Sequence, residues 1–214
     1  MKDCLIIIPV FNEVKTISNI VKKLKKQNLE ILVVDDLSTD NGCTELAEKY
    51  CINVIRNKRN IGYENTLKKG FEYAIKRNFK YAITFDGDGE HSVSSIPKIL
   101  NSLTKGNLVV IGEREKKNRI SETILHYVFL VLFSVSDPLS GLKGYDIKKL
   151  TNNEIKFSFE SAGTSILIQS IKKNLKVCSK RIKTNKRIDK SRYGYGFKVN
   201  LKILKNVLWE FLKK

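Results

Sequence analysis

Short apolar runs alternate with amphipathic segments along most of the chain. The apolar runs predict β-strands at residues 5–8, 31–34, 53–56, 81–85, 108–111 and 176–178. Between them, apolar residues recur every three or four positions, which predicts helices at residues 17–26, 43–50, 64–77 and 96–103. Strands that alternate with helices of this length indicate right-handed βαβ units and a mostly parallel sheet with helices on both faces.

Three of the predicted strands run into acidic loops. The loops contain Glu13, the pair Asp35 and Asp36, and the pair Asp86 and Asp88. In an open parallel sheet the carboxyl ends of the strands share one edge, and ligands bind beyond that edge. We therefore expect the three loops to converge on one site.

The loop after the fourth strand carries two aspartates separated by one glycine, Asp86-Gly87-Asp88. A buried strand that ends in two anions indicates a bound cation, because unpaired charges are costly next to a core. Carboxylate oxygens suit Mg²⁺ or Mn²⁺, which keeps several waters and takes further ligands from substrate phosphates. Gly87 allows a sharp turn and a close approach to a ligand. A glycine-rich turn with two solvated aspartates is the alternative interpretation.

Composition favours one soluble or membrane-peripheral domain. The 214 residues are 42% hydrophobic, and the four cysteines are too scattered to suggest a zinc site or a disulfide framework. The net charge is +18, and residues 172–214 hold 15 basic and 2 acidic residues. Such a segment is typical of proteins that bind polyanions: nucleic acid, an anionic membrane or phosphorylated substrates. A lysine-rich solvated surface is the simpler explanation.

Two apolar segments suggest contact with lipid. Residues 124–135 are apolar nearly all round but shorter than the roughly 20 residues that span a bilayer, so they predict either a core helix or an interfacial helix. Residues 197–214 place apolar residues at helical spacing opposite lysines, which predicts a basic amphipathic helix. We therefore divide the chain into a domain at 1–196 and a C-terminal helix at 197–214.

Six motifs together resemble family 2 glycosyltransferases of the GT-A fold. In chain order they are IIIPVFNE at residues 6–13, VVDDLSTDNG, NIGYENTLKKGFEYA, FDGDGEH, GER and DPLSGLKGYD. The FDGDGEH form and the basic segment around Arg187 and Arg192 most resemble the polyprenyl-phosphate sugar transferases, such as the dolichyl-phosphate mannose synthases. The resemblance covers roughly residues 3–195. It implies an α/β, Rossmann-like, mostly parallel sheet flanked by helices, to which this chain adds a basic C-terminal helical extension.

On the donor side, the resemblance implies a nucleotide-sugar site. Pro9, Phe11 and Glu13 match the loop that holds the nucleotide base and ribose, although Phe11 also suits a core position. Asp36 matches the second acidic residue that contacts the nucleotide, and a carboxylate can accept hydrogen bonds from base or ribose groups. Asp35 is a candidate cap of the following turn.

The resemblance also implies a metal-diphosphate site. Asp86, Gly87 and Asp88 match the D-x-D motif, in which the metal links the carboxylates to the donor diphosphate and stabilises the leaving group. Glu90 stands where relatives often carry Gln and is a third candidate ligand. Arg114 matches an arginine near the diphosphate, where a planar fork suits phosphate oxygens.

The acceptor side leaves two chemistries open. Members of the family invert the anomeric centre, and a sugar hydroxyl acceptor needs a carboxylate base. A phosphate monoester needs no base, because its second pKa near 6 leaves it mostly dianionic. Ser165 occupies the position where relatives usually place an acid, and Glu160 lies nearby but out of the expected register. Either Glu160 has taken over as the base, or the nucleophile needs no base, or the protein is a degenerate transferase. Asp137 is the other candidate catalytic carboxylate and equally suits a turn cap.

We therefore expect a metal-dependent transferase with a polyprenyl phosphate acceptor. Arg187 and Arg192 would hold the headgroup phosphate, and the protein would lie in the cytoplasm at an anionic membrane surface. A sugar hydroxyl on a surface glycan is the alternative acceptor. A nucleic-acid-binding protein is a minor alternative, because the basic tail lacks any recognised nucleic-acid motif. His91 and His126 are too few to form a metal site of their own.

Overall fold

The computed structural model describes residues 3–40, 42–157, 162–185 and 196–213, and one sheet organises them. Its strands are β1 Cys4–Val10, β2 Glu30–Asp35, β3 Asn53–Arg56, β4 Tyr81–Thr84, β5 Val109–Glu113, β6 Lys143–Asp146 and β7 Val177–Arg181. The helices are α1 Val14–Lys25, α2 Gly42–Tyr50, α3 Tyr63–Lys76, α4 Ile96–Thr104, α5 Ile120–Phe133, α6 Ile147–Asn152, α7 Ala162–Lys172 and α8 Phe197–Leu212.

The sheet is mixed and mostly parallel, in the order β3-β2-β1-β4-β6-β5-β7. The β1–β2, β1–β4, β2–β3 and β5–β7 pairs are parallel. Strand β6 runs antiparallel to both of its neighbours, β4 and β5. The α/β fold predicted from the sequence is confirmed in these general terms, but β6 was not predicted. It lies inside the DPLSGLKGYD motif, where a short run with a lysine and a glycine gives no strand pattern.

Two apolar cores cover the two faces of the sheet. Along β1, Ile6 and Ile8 belong to one core, whereas Leu5 and Ile7 belong to the other. This follows from the strand geometry, because successive side chains point to opposite faces. Seven consecutive buried residues in β1 are therefore a consequence of helices packing on both sides of a central strand.

The parallel strands bring the predicted loops to one edge. Val10 at the end of β1 pairs with Asp35 at the end of β2, and β4 runs parallel to β1 on its other side. The Asn12 N–H donates to the Ser38 hydroxyl at 2.9 Å, and the Thr16 hydroxyl donates to the Gly87 carbonyl. The predicted convergence of the three acidic loops is therefore confirmed.

Helices α5 and α8 pack side by side on one face of the domain. The ring of Phe211 in α8 contacts the rings of Phe129 and Phe133 in α5. The Ser121 N–H also donates to the Asn200 side chain at 2.9 Å. Within the described residues, neither these nor any other helix is long and apolar enough to cross a membrane.

Candidate active site

The loop after β1 presses a carboxylate against the Asp86-Gly87-Asp88 loop. A Cβ atom added to Gly87 would clash with a carboxylate oxygen of Glu13, so glycine allows this close approach. Pro9 is the penultimate residue of β1 and is buried, and Phe11 follows the strand as a half-buried side chain. The residues expected to hold the nucleotide therefore stand beside the expected metal motif.

Asp36 is buried and holds the loop that precedes α3. One of its oxygens accepts hydrogen bonds from the Asn57 amide and the Ile61 N–H, both at 2.8 Å. The other accepts from the Gly62 N–H at 2.8 Å. A carboxylate has lone pairs for about four hydrogen bonds, so these three contacts leave one acceptor position unused among the described residues. Asp36 has at least a structural role, and its nucleotide contact stays a prediction.

Asp35 caps the turn that follows β2, as one of the sequence interpretations stated. Its Oδ1 accepts the Ser38 N–H at 2.8 Å, and its Oδ2 lies 3.5 Å from Nε of Arg56. Arg56 also donates to the Ser38 carbonyl at 2.8 Å. The cap fixes the loop that contacts Asn12.

Asp86 is held from two sides at the end of β4. The Tyr63 hydroxyl donates to its Oδ1 at 2.9 Å, and burial beside this carboxylate raises the pKa of Tyr63. A Cβ atom added to Gly141 would clash with the Asp86 carboxylate, so Gly141 allows the DPLSG loop to touch that side chain. Nε2 of buried His91 lies 3.4 Å from Oδ2 of Asp86. The Asp86 side chain still keeps 21% of its surface exposed at this edge of the sheet.

The side chains of Asp88 and Glu90 contact different groups. Oδ1 of Asp88 accepts the Glu90 N–H at 2.9 Å, which fixes the turn. Oε1 of Glu90 accepts the Asn118 side-chain amide at 2.9 Å and lies 3.7 Å from Nη1 of Arg114. No group of three or more metal-ligating side chains forms among the described residues, so Glu90 does not complete a three-carboxylate site with Asp86 and Asp88.

The remaining pair of aspartates still fits Mg²⁺ or Mn²⁺. Asp86 is accessible at the carboxyl edge of the sheet, and oxygen ligands match the preference of both ions. Mg²⁺ is usually bound by one or two carboxylates, and waters and substrate phosphates complete its octahedral shell. Two aspartates therefore suffice for an ion that binds together with a diphosphate.

Arg114 lies at the centre of a buried cluster of carboxylates. Its Nε and Nη2 donate to the two oxygens of Asp137, each at 2.9 Å, and its backbone N–H donates to the same side chain. Nη2 also donates to Glu122 at 3.1 Å. The negative charges of these partners outweigh burial and raise the pKa of Arg114. The guanidinium is therefore bound to carboxylates of this chain, and its contact with the donor diphosphate stays a prediction.

Asp137 is fully buried in that cluster. Burial works against its charge, but the two-point contact with Arg114 overrides burial and holds the pKa of Asp137 below its usual range. Ser165, the position where the resemblance leads us to expect an acid, is also buried. Its hydroxyl donates to Glu210 of α8 at 2.9 Å. Glu160, Arg187 and Arg192 lie outside the described residues.

Lys143, a buried cation at the start of β6, is a candidate site residue that the sequence motifs do not indicate. Its Nζ donates to the Ser140 carbonyl at 2.7 Å, and burial lowers the pKa of the ammonium to about 8. Lys143 pairs with Thr84 across the sheet, directly before the loop that carries Asp86. A lysine between two apolar or small residues in LKGY is the signal that could have identified it.

Comparison with known proteins places this arrangement in a family. The chain matches Glycosyl transferase family 2 over residues 5–175. An uncharacterised protein of Methanocaldococcus jannaschii is 31% identical over 195 residues, which cover 84% of this chain and 80% of that protein. The dolichol-phosphate mannosyltransferase of Pyrococcus furiosus is 34% identical over 119 residues, which cover 52% of this chain and 33% of that protein. The UDP-N-acetylglucosamine–dolichyl-phosphate N-acetylglucosaminyltransferase of Methanococcus voltae is 27% identical over 212 residues, which cover 84% of each chain.

The fold is similar to that of solved enzymes of the GT-A class. The glucosyl-3-phosphoglycerate synthase of Mycobacterium tuberculosis, solved with Mn²⁺, uridine diphosphate and phosphoglyceric acid, superposes with a TM-score of 0.77 at 14% identity. The superposition covers 100% of this chain and 80% of that enzyme. Because the family match extends over most of the described sheet and includes the acidic loops, the chain belongs to glycosyl transferase family 2 and is a glycosyltransferase that moves a sugar from a nucleotide-sugar donor.

Proposed function

We propose that the protein is a metal-dependent, inverting glycosyltransferase whose acceptor is a polyprenyl phosphate at an anionic membrane surface. The phosphate oxygen of the acceptor attacks C1 of the sugar, and the bond from C1 to the nucleoside diphosphate breaks on the opposite side. The names of two relatives, which act on dolichol or dolichyl phosphate, support this class of acceptor.

An exposed apolar face on α5 and α8 carries the proposal. On α5 it comprises Ile120, Ile124, Tyr127, Val128, Leu130, Val131 and Leu132, and on α8 it comprises Phe197, Leu201, Leu208, Trp209 and Leu212. Val131 keeps 79% and Phe197 82% of their surface exposed. Twelve exposed large apolar side chains on two helices that pack together are unusual on a soluble monomer and indicate an interaction site. This exposure favours the interfacial interpretation of residues 124–135 over the core-helix interpretation.

Basic residues flank the apolar face on α8. Lys198, Lys202 and Lys205 are exposed and recur at helical spacing next to the apolar stripe. A helix with an apolar stripe beside lysines binds in the plane of a membrane, where anionic headgroups attract the lysines. Each such lysine contributes about 1 kcal/mol of attraction near a membrane with anionic lipids. We therefore take a lipid bilayer, and not a second protein, as the occupant of this face.

The apolar face begins next to the metal motif. Asn118, two residues before α5, donates to Glu90 of the DGDGE loop. Its backbone N–H also donates to Glu122 in the first turn of α5 at 2.9 Å. A lipid chain lying along α5 would therefore have its phosphate end near the edge of the sheet that carries Asp86 and Asp88.

The described carboxylates support a reaction without a general base. A general base works best when its pKa lies near the operating pH. Asp137 has a lowered pKa, is fully buried and is held by Arg114, so it is poorly suited to take a proton from a sugar hydroxyl. Ser165 supplies no carboxylate at the usual position. A phosphate acceptor removes the need for either residue, because it is already an anion.

Asp86 and Asp88 would hold the metal together with the donor diphosphate. When bound, the ion stabilises the negative charge that develops on the leaving nucleoside diphosphate. Tyr63 orients the carboxylate of Asp86, and the Glu90 N–H orients that of Asp88. Pro9, Phe11, Glu13 and Asp36 would hold the nucleotide on the β1–β2 side. Arg114 is assigned a positioning role, because it links Asp137 to Glu122 and neighbours Glu90.

The proposal is tested by donor binding followed by transfer. Uridine and guanosine diphosphates are screened with and without Mn²⁺ by thermal shift, because a bound ligand raises the apparent stability. The matching labelled nucleotide sugars are then incubated with polyprenyl phosphate. We expect a butanol-extractable, mild-acid-labile product that wild-type protein forms and Asp88→Asn does not. A product that forms only on a water-soluble glycan contradicts the lipid acceptor and favours a sugar hydroxyl.

Binding of a mixed-sequence oligonucleotide without nucleoside diphosphate binding would instead favour the nucleic-acid alternative.

A further inference from the structure

His91 closes the FDGDGEH motif and takes no part in the proposed reaction. Its side chain is fully buried, although imidazole is a polar ring. Among the described residues, neither Nδ1 nor Nε2 has a hydrogen-bond partner. Buried polar atoms normally have partners, and the few that lack one require an explanation. An apolar side chain could fill this position without leaving polar atoms unpaired, so the observation points to a task for a ring nitrogen.

The imidazole ring lies between an aromatic core residue and the first aspartate of the motif. The ring centroids of His91 and Phe85 are 6.0 Å apart, in an edge-to-face arrangement. Nε2 of the same ring lies 3.4 Å from Oδ2 of Asp86. A hydrogen bond between nitrogen and oxygen normally spans about 2.7–3.2 Å, so these two atoms are slightly too far apart. A small movement of the carboxylate would therefore form the bond.

The backbone that carries the imidazole is anchored from a distant segment. Gly89 has a φ of 81°, which glycine adopts easily, and the chain turns there between Asp88 and His91. His91 forms an antiparallel bridge with Thr184. The next residue, Asn185, donates its backbone N–H to the Glu90 carbonyl at 2.7 Å. The segment that follows β7 therefore fixes the backbone that presents the ring to the carboxylate.

The other oxygen of the Asp86 carboxylate already accepts a hydrogen bond. The Tyr63 hydroxyl donates to Oδ1 at 2.9 Å. A second donor, from His91 to Oδ2, would hold the carboxylate at both oxygens and so fix its plane. Side chains that bind metals commonly accept outer hydrogen bonds of this kind, which orient them toward the ion. Two donors use two of the about four lone pairs of a carboxylate, so the arrangement is compatible with a bound cation.

We propose that His91 is a positioning residue for the metal ligand Asp86, and that its Nε2–H donates to Oδ2 in the metal-bound protein. A neutral imidazole with its proton on Nε2 is sufficient, so the contact requires no change of charge. The ring itself does not touch the metal. It holds the carboxylate in the orientation in which Asp86 and Asp88 bind one ion. This inference rests on the metal site of the proposed function.

Two substitutions of His91 separate a hydrogen-bonding role from a packing role. His91→Leu removes both nitrogens, whereas His91→Gln keeps a side-chain N–H donor. His126→Leu, at the other histidine of the chain, on α5, is the matched control. Calorimetry measures the binding of uridine or guanosine diphosphate, whichever the wild-type protein binds, with Mn²⁺ and without metal. We expect His91→Leu to weaken Mn²⁺-dependent binding about 10- to 100-fold, the usual effect of losing an outer hydrogen bond at a metal site. Metal-free binding should be unchanged, and His91→Gln should recover most of the loss.

NMR of protein labelled with ¹⁵N-histidine observes the contact directly. It reports which ring nitrogen carries the proton, and Mg²⁺ replaces Mn²⁺ because Mg²⁺ is not paramagnetic. We expect the proton of His91 on Nε2, and a change in the Nε2 signal when the nucleoside diphosphate and Mg²⁺ are added together. The signals of His126 should not change. This measurement uses wild-type protein, so it decides the question even if His91→Leu does not fold.

Three results would overturn the inference, and they separate it from the metal site itself. Metal-dependent binding that Asp88→Asn abolishes and His91→Leu leaves unchanged would exclude the role of His91 alone. Equal losses of metal-dependent and metal-free binding in His91→Leu, without recovery in His91→Gln, would assign the residue to packing. If Mn²⁺ does not strengthen nucleoside diphosphate binding by the wild-type protein, the proposed metal site and the role of His91 both fail.

Discussion

Arg114 and Asp137 form a buried, two-point ion pair, in which Nε and Nη2 each donate to a different carboxylate oxygen at 2.9 Å. The pair joins the end of β5 to the start of the DPLSGLKGYD segment. Asp137 itself has a positive φ of 51°, so the chain turns sharply at the point where Arg114 holds it. The segment that follows brings Gly141 against Asp86 and places buried Lys143 at the start of β6.

We expect Asp137→Asn to act mainly on stability. Asparagine removes the two-point carboxylate partner of buried Arg114, which keeps Glu122 and Glu90, so the loss of the free energy of unfolding should be at most about 3–5 kcal/mol. Urea denaturation of the wild-type protein and Asp137→Asn measures this loss. A variant with normal stability and no transfer would instead identify Asp137 as a catalytic base.

The same pair predicts a pH dependence. Asp137 has a lower pKa in the folded state than in the unfolded chain, so its contribution is fully present above pH about 4 and is lost as pH falls through the folded pKa. The difference in unfolding free energy between the wild-type protein and Asp137→Asn should therefore shrink below pH 4. A difference that stays constant from pH 6 to pH 3 would contradict this account of the pair.

Asp88→Asn should abolish metal-dependent binding without loss of the fold. Asparagine keeps an oxygen for the Glu90 N–H but loses the charge that a divalent cation requires. Calorimetry of nucleoside diphosphate with and without Mn²⁺ measures this, and Asp3→Asn, an exposed aspartate on the opposite edge, is the control. Full transfer activity in Asp88→Asn, or in wild-type protein treated with EDTA, would refute a role for the metal.

Asp36→Ala should weaken nucleoside diphosphate binding by roughly 1.5–3 kcal/mol, the usual worth of a hydrogen bond to a charged group. Asp36 also holds the loop before α3, so a control must disturb that loop and leave the carboxylate in place. Asn57→Ala does this, because it removes one of the three donors to Asp36. Equal losses of affinity in the two variants would mean that Asp36 acts only through the loop.

The apolar face on α5 and α8 should bind membranes that contain anionic lipid. Val131→Glu and Leu208→Glu place a charge on this face and should reduce cosedimentation with such vesicles about tenfold or more, because each loses apolar burial and adds repulsion. Ile75→Glu, on the exposed surface of α3, controls for an added acid elsewhere. Equal losses from all three variants, or no dependence on anionic lipid, would argue against membrane docking through this face.

The first half of the fold could be predicted from the sequence because its strands are continuous apolar runs. Leu5, Ile7 and their neighbours need helices on both faces, and that requirement alone indicates a parallel α/β sheet. Strand β6 has no such pattern, since tertiary contacts bury its lysine and its glycine. Only the fold shows that this strand runs antiparallel.

The candidate site, like the fold, could be predicted from the sequence only in part. The spacing of Asp86 and Asp88 predicts a cation from local chemistry alone. Their partners come from distant segments: Tyr63 lies 23 residues before Asp86, and the Thr84–Gly141 contact joins residues 57 positions apart. The family resemblance predicts a contact of Arg114 with the diphosphate, whereas the buried carboxylates around Arg114, above all Glu122, are visible only in three dimensions.

The most direct test of the account compares two lipid acceptors that differ only in their phosphate. Wild-type protein is given the labelled nucleotide sugar, Mn²⁺ and either a polyprenyl phosphate or the corresponding polyprenol, and the product is analysed by NMR. We predict transfer to the polyprenyl phosphate alone, with the sugar linked through phosphate and with the opposite anomeric configuration to the donor. Transfer to the polyprenol hydroxyl, or a product that retains the donor configuration, would contradict a base-free, inverting reaction on a lipid phosphate.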